Sequence, residues 1–319
     1  MLLQSGLRLG HSIVRFASTT AAAATTSASA STATRAAMIT VTRDSLPADK
    51  DGKPGASTGV AIVAFNTPHN LNAFTAELGQ QFEATMSKLA VDPTLRAVVL
   101  TGNGRAFSGG GDLQFLLDRS KETAMNNAFI MKAFYRRFLS IRKVPVPTIA
   151  AINGPAVGAG FCVALACDLR LAATDAKMGV NFVKIGITPG MAGTHILPAI
   201  SNPQIAARLC LTGDLISGAE AKELGLVTSV EQPDQLVPRA LDLARRIANN
   251  SPRATRRLVM MLRGRVDQGL EQALWTEADA QASCYSEPDL IEGINAVKEK
   301  RAPKFVDFGA PLMPGGSQE

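Results

Sequence analysis

Two glycine-rich stretches decide how this chain reads: Gly102–Leu113, GNGRAFSGGGDL, and Ile152–Val163, INGPAVGAGFCV. Each follows a short apolar, β-prone run, Ala97–Thr101 (AVVLT) and Thr148–Ile152 (TIAAI), and each passes through glycines into an apolar helical pattern. A strand that turns through glycine into a helix leaves free backbone N–H groups at the helix start. Two such donors aimed at one point make an oxyanion hole, a seat for the negative charge that develops on a carbonyl oxygen.

Upstream, Val60–Phe65 (VAIVAF) predicts a buried strand. Thr75 is placed to cap a helix whose buried face is Leu78, Phe82, Met86 and Leu89, stopped at Asp92-Pro93. Strand, helix and strand in that order imply a parallel sheet with right-handed crossovers. Downstream, helical sequence runs from Leu113 to Arg142 and breaks at Val144–Pro147, Gly158–Ala166 predicts a short buried helix, and Asp168–Ala173 returns as strand. From Gly190 onward strand signals fade. Ser217 with Glu220 three residues later reads as a capping box, and helical periodicity covers Leu236–Ala248, Pro252–Arg263, Leu270–Tyr285 and the segment from Pro288.

The N-terminus is different in kind. Residues 1–43 contain no Asp or Glu but four arginines, Arg8, Arg15, Arg35 and Arg43, and residues 18–34 are almost entirely Ala, Ser and Thr. An amphipathic, Ser-rich, acid-free start is the composition of a mitochondrial transit peptide, which predicts a matrix protein. Without those four arginines the body holds 29 basic and 27 acidic residues, so the chain's net charge of +6 is largely an address label. Nucleic-acid binding is not expected from it. The four cysteines, Cys162, Cys167, Cys210 and Cys284, show no paired spacing, and no metal site is expected. No apolar run reaches the ~18 residues of a membrane span. Gly158-Ala159-Gly160 fails as a dinucleotide fingerprint, because Val163 stands at the third-glycine position.

Several ordered blocks resemble the crotonase (enoyl-CoA hydratase/isomerase) superfamily. They are Pro68 with Asn72-Ala73, AFSGGGDL, NGPAVGAG followed by Cys167-Asp168, Ile187–Gly190 with Gly193-Thr194, Leu211–Gly213, Ala219–Ala221 with Gly225–Val227, and Glu299–Arg301. The similarity runs from about Val60 to about Phe305. It implies an α/β fold, a crotonase-like spiral of ββα units with a C-terminal helical region that trimerises. The expected plan is a disordered transit peptide over 1–43, the spiral core over 44–210, the helical region over 211–308 and a loose tail over 309–319. The resemblance also implies acyl-CoA thioesters as substrates, coenzyme A entering as part of the substrate with no further cofactor, and a homotrimer or hexamer.

Carried over residue by residue, the resemblance makes Gly111 and Ala159 the two backbone donors of the hole. Alanine in place of the more common glycine keeps its N–H, provided that Ala159 has a negative φ. The two glutamates of the hydratases fall on Cys162 and Phe182, and a third position, aspartate in some isomerases and hydrolases, falls on Gly190. Positioned acids and bases contribute ~10²–10⁴-fold each, so ordinary two-glutamate hydration is not expected. His195 and Asp112 are the remaining titratable candidates near these blocks, each with a plain alternative as a hydrogen-bonding imidazole and a helix cap. Cys162 reads otherwise as a small buried hydrophobe. Substrate contacts are expected from His69, Asn72, Ala73, Arg105, Ser108, Gly109, Gly110 and Gln114, with Lys304 and Phe305 reaching a neighbour's nucleotide. Asn181 and Thr188 are further candidates for holding water or a carbonyl. Two functions stay open: an isomerase, decarboxylase or atypical hydratase using non-standard acid–base groups, and a catalytically silent acyl-CoA-binding protein.

Overall fold

The computed structural model of the chain describes residues 37–47 and 55–305. Most of the expected leader, residues 1–36, and the expected tail, 309–319, lie outside the described residues.

In chain order, β1 (Ile39–Ser45) and β2 (Ser57–Phe65) lead to α1 (Ala76–Ala90) and β3 (Ala97–Gly102). The first glycine loop then enters α2 (Leu113–Arg119), followed by α3 (Ala124–Phe138) and β4 (Thr148–Ile152). The second loop carries β5 (Ala156–Val157) and enters α4 (Ala159–Ala166). Next come β6 (Leu169–Ala173), β7 (Lys177–Gly179), α5 (Gly193–Ile200), α6 (Pro203–Thr212), β8 (Ile216–Ser217), α7 (Gly218–Glu223) and β9 (Ser229–Glu231). The chain closes with α8 (Pro233–Ala248), α9 (Pro252–Asp267), α10 (Leu270–Cys284) and α11 (Pro288–Glu299).

Six strands form the main sheet in the order β1-β2-β3-β4-β6-β9, and β5-β7-β8 form a second. Only the β1–β2 pair of the main sheet is antiparallel; Val60 to Phe65 run in register with Ala97 to Gly102, and Val98 pairs with Thr148. Every residue of β3 and β4 is buried, as expected of strands covered on both faces. Local chemistry sets the helix starts: Thr75, Asp112, Thr123, Asn202, Ser217 and Ser251 each accept the backbone N–H of the third residue of their helix. The α1 face of Leu78, Phe82, Met86 and Leu89 is buried as its spacing predicts. Phe82 joins Phe65, Phe74, Phe107 and Phe138 in one aromatic cluster beneath the first loop.

Arg263 ties the helical region to the sheet. Its guanidinium grips Asp168 at 2.6 and 2.7 Å and donates to the carbonyls of Arg142, Val144 and Val146. The two prolines of Val144–Pro147 remove N–H donors there, and an arginine fork supplies replacements.

Four expectations are corrected. Residues 39–43, assigned to a disordered leader, form an edge strand on β2, fastened where Arg245 holds Asp44 at 2.6 and 2.8 Å. The boundary at residue 210 falls inside α6, and the region after it is not all helical, because β8 and β9 return to the two sheets. The helical sequence expected to run from Leu113 to Arg142 is interrupted before Val144: it forms two helices and a 3-10 turn, since Thr123 caps a fresh start at α3. Ser217 does cap α7, but the Glu220 carboxylate turns to Arg208 rather than closing the reciprocal arm of a capping box.

Candidate active site

Both glycine loops leave the same ends of adjacent parallel strands, β3 and β4, so the sheet itself brings them together. Backbone bonds then fasten one to the other. Ser108 N–H donates to Pro155 O and Val157 N–H to Ser108 O, each at 3.0 Å. The first loop is held on its other side by Phe74 N–H to Gly110 O at 2.7 Å and Asp112 N–H to Phe74 O at 3.0 Å. The approach is close enough to require glycine. A Cβ on Gly110, which sits at φ +96, would lie 2.7 Å from Val157 O, and one on Gly160 would lie 2.7 Å from the Ser108 Cβ and carbonyl.

These bonds leave two donors over. Among the described residues the Gly111 N–H has no acceptor, and Ala159, the first residue of α4, has none for its N–H. Ala159 is absent from the positive-φ residues, so the condition for its serving in place of glycine is met. Both residues line one cavity of about 160 Å³, together with Gly109, Gly110, Val157 and Gly158. The rest of the lining is apolar (Leu113, Leu116, Met131, Phe134 and Phe182 among it) apart from Tyr135, Asn181 and Gln281. Among the described residues the only ionisable side chain on this lining is Tyr135; no carboxylate, imidazole, thiol or amine reaches it.

Several expected site residues have other duties. Asn72, fully buried at φ 55, accepts Thr67 N–H through Oδ1 and donates through Nδ2 to the carbonyls of Asn103 and Ala106. Ser108 Oγ donates to Asn72 O and accepts Gly110 N–H. Both side chains brace the loop, so their expected contact with substrate is corrected to support of the backbone that lines the cavity. Asp112 caps α2 through Phe115 N–H at 2.9 Å. For His195 the plain alternative of a hydrogen-bonding imidazole stands over a catalytic one: its Nε2 lies 2.7 Å from Val266 O, joining α5 to the end of α9, and it does not line the cavity. Cys162 is buried in α4 off the lining, with Sγ 3.0 Å from where a Cβ on Gly193 would stand. Burial, with the Glu277 charge adding to it, pushes its thiol well above the ordinary range, so it stays protonated and unreactive. Phe182 does line the cavity, its ring 3.7 Å from a Cβ built on Gly158.

His69 and Arg105 are exposed on touching loop tips, where a Cβ on Gly104 would lie 2.7 Å from Pro68. Gln114 is exposed and donates to Asp118 Oδ1; Ala73 is half-buried, and Lys304 and Phe305 are exposed. None of these six lines the cavity.

Four further residues escaped the sequence reading. Tyr135 and Tyr285, the chain's two tyrosines, both donate to Gln281 Oε1 at 2.7 Å. Glu277 is buried and accepts Ala192 N–H, Thr194 N–H and the Thr194 hydroxyl at the start of α5. Burial raises its carboxyl despite those bonds. The scarcity of tyrosine was the one available signal.

The chain as a whole is similar to known proteins. The family model described as enoyl-CoA hydratase/isomerase matches residues 55–308. The chain belongs to the enoyl-CoA hydratase/isomerase family. A putative enoyl-CoA hydratase of Thermus thermophilus is 39% identical over 249 residues, covering 77% of this chain and 97% of that protein. The mouse mitochondrial methylglutaconyl-CoA hydratase is 33% identical over 260 residues, 77% of this chain and 79% of that one. Among solved structures, an enoyl-CoA hydratase from Mycobacterium avium subsp. paratuberculosis superimposes with a TM-score of 0.71 at 27% identity, over 86% of this chain and 100% of that chain. The α/β architecture is thus the crotonase fold, with α8 to α11 as its C-terminal helical region.

Proposed function

We propose that this family member binds acyl-CoA thioesters and polarises the thioester carbonyl with the Gly111 and Ala159 N–H groups, stabilising an enolate. The observation that carries the reading is the pair of acceptor-free N–H groups facing one apolar cavity. In a site closed to water, each such donor is worth ~3–4 kcal/mol towards a full oxyanion. The proposed chemistry is isomerisation, decarboxylation or hydration by residues other than a glutamate pair, since Cys162 and Phe182 stand where the hydratases carry theirs. A second reading, acyl-CoA binding without turnover, draws on the absence of any carboxylate from the described lining. Its test is tight thioester binding with no conversion of enoyl, malonyl or hydroxyacyl thioesters.

The hole itself is tested with a pair of ligands, an acyl-CoA and the S-alkyl thioether of the same chain length. Two neutral hydrogen bonds at ~0.5–1.5 kcal/mol each give the acyl-CoA roughly a five- to hundredfold advantage. Equal affinity for the two removes the oxyanion hole from the reading.

We also place the protein in the mitochondrial matrix, on the acid-free leader. A homotrimer is supported by α9, which leaves Leu258, Met260, Met261 and Leu262 exposed on a helix of the C-terminal region. The exposed loop tips carrying His69 and Arg105 are proposed for the nucleotide end of the substrate, with Gln114, Lys304 and Phe305 as the more distant contributors.

A further inference from the structure

The polar corner of the cavity has a fixed hydrogen-bond direction. Gln281 Nε2 lies 2.6 Å from Thr188 O, a carbonyl that can only accept, so the amide nitrogen must point there. The amide oxygen therefore faces the tyrosines, and an oxygen without a proton obliges both hydroxyls to donate to it. Each phenol has one proton, and that of Tyr135 is committed. Its oxygen retains acceptor capacity alone. Tyr135, Gly190 and Gln281 share one wall of the cavity, and the Tyr135 hydroxyl occupies the space into which any side chain at Gly190 would project.

We infer that Tyr135 reads a hydrogen-bond donor on the acyl group, and that the cavity favours thioesters whose acyl chain carries a hydroxyl over those carrying hydrogen, a ketone or a carboxylate at the same place. The inference rests on the acyl-CoA reading above. Tyr135 acts here as a specificity residue. Burial supports the assignment, because it lifts the phenol well above its ordinary value and keeps the committed proton in place. An acceptor group in this corner would meet two oxygens, Tyr135 Oη and Gln281 Oε1, with no proton free between them. A donor meets a lone pair already oriented by a clamped neighbour.

The test compares dissociation constants of the full chain for butyryl-, 3-hydroxybutyryl-, 4-hydroxybutyryl- and acetoacetyl-CoA. One hydroxylated thioester is expected to bind roughly three- to tenfold tighter than butyryl-CoA, the span of one net hydrogen bond, and acetoacetyl-CoA no tighter than butyryl-CoA. Tyr135→Phe is expected to erase the hydroxyl preference, bringing the hydroxybutyryl- and butyryl-CoA dissociation constants together, with a urea unfolding midpoint near the parent's as the separate report of an intact fold. Gln281 Oε1 keeps the Tyr285 hydroxyl in that variant, so no buried acceptor is orphaned. Gln281→Leu, which frees the Tyr135 proton, is expected to turn the preference towards acetoacetyl-CoA. Equal binding of butyryl and both hydroxybutyryl thioesters overturns the inference and leaves the lone pair to solvent water. A preference that survives Tyr135→Phe overturns it as well. Failure of all four thioesters to bind sinks the acyl-CoA reading instead, so the two failures are distinct.

Discussion

Gly110→Ala is the sharpest perturbation of the proposed hole, because it adds one carbon where the two loops touch. The residue sits at φ +96, where an L side chain is strained, and the left-handed region costs ~1–2 kcal/mol for a residue with a Cβ. The new carbon would stand 2.7 Å from Val157 O, against 3.4 Å for ordinary contact, so the second loop must retreat by about 0.7 Å. Val157 is two residues before Ala159, and its retreat takes the Ala159 N–H with it. A displacement on the order of 1 Å at a reacting centre is enough to cost ~10²-fold. Gly109→Ala is the matched control: its φ is not positive, and its Cβ meets Leu71 Cβ at 3.4 Å. The assay is the affinity ratio between an acyl-CoA and its S-alkyl thioether, measured beside a urea unfolding curve. Gly110→Ala is expected to lose ~1–3 kcal/mol of stability and most of the ratio, while Gly109→Ala keeps both. A Gly110→Ala protein that discriminates as well as the parent refutes the reasoning, and so does a Gly109→Ala protein that fails equally.

Arg263→Met should cost up to ~3–5 kcal/mol near neutral pH, since it leaves the half-buried Asp168 carboxylate without its guanidinium partner. The sign with pH follows from Asp168: burial alone would raise its pKa, but the Arg263 bonds and charge with the Thr148 donors hold it below the ordinary value. Parent stability from this group is present above the unfolded pKa near 3.9 and fades as pH falls through the lower folded value. In the variant burial dominates, protonation relieves the penalty, and urea midpoints of the two proteins should converge on acidification; a constant gap argues against the pair. Glu277→Ala is expected to destabilise by ~2–3 kcal/mol by orphaning the Ala192 and Thr194 donors. Because burial raises the Glu277 pKa, its penalty disappears as pH falls through the folded value, so Glu277→Gln should flatten stability against pH, checked by thermal melts across the acidic range. His195→Phe should lower stability by ~1 kcal/mol through the lost Val266 bond and leave acyl-CoA affinity unchanged in a calorimetric titration; a loss of affinity would restore His195 to the site.

Local signals were legible in proportion to how local their causes are. Thr75 capping α1 and the buried Leu78, Phe82, Met86 and Leu89 depend on a helix's own geometry, and both stand as the spacing implies. β1 was missed although Ile39-Thr40-Val41-Thr42 alternates as a β-branched run, because the acid-free composition assigned it to the leader; β2 supplies its ladder, and Arg245 reaches Asp44 from 201 residues away. β9 was missed because three residues, Ser229–Glu231, carry no period; the open edge of β6 makes them a strand. In the site, the glycine loops were legible as backbone, and so were the plain duties of Asp112, His195 and Cys162, whereas the partners of the loop's other side chains were not. Asn72 and Ser108 lie beside the cavity in sequence order, yet their bonds run to loop carbonyls and amides, which only the folded loop presents. Tyr135 and Gln281 meet across 146 residues, a juxtaposition no spacing encodes.

That division between backbone and side chain bears on function. The proposed hole is built from Gly110, Gly111, Ala159 and Gly160, and its bracing comes from backbone bonds and two buried polar side chains, none of which uses the side chain of Cys162 or Phe182. Thioester polarisation, as proposed, is therefore independent of which side chains stand at those two positions, since the donors are peptide N–H groups set by chain direction and glycine contacts. Acid–base chemistry has no such insulation, because it depends on individual side chains reaching the cavity, and among the described residues Tyr135 alone has an ionisable group there. A phenol held protonated by burial and donating to a clamped amide is a poor base and a good hydrogen-bond acceptor. Binding and substrate choice in this protein are thus separable from proton transfer, and the discriminating experiments are those that measure them one at a time.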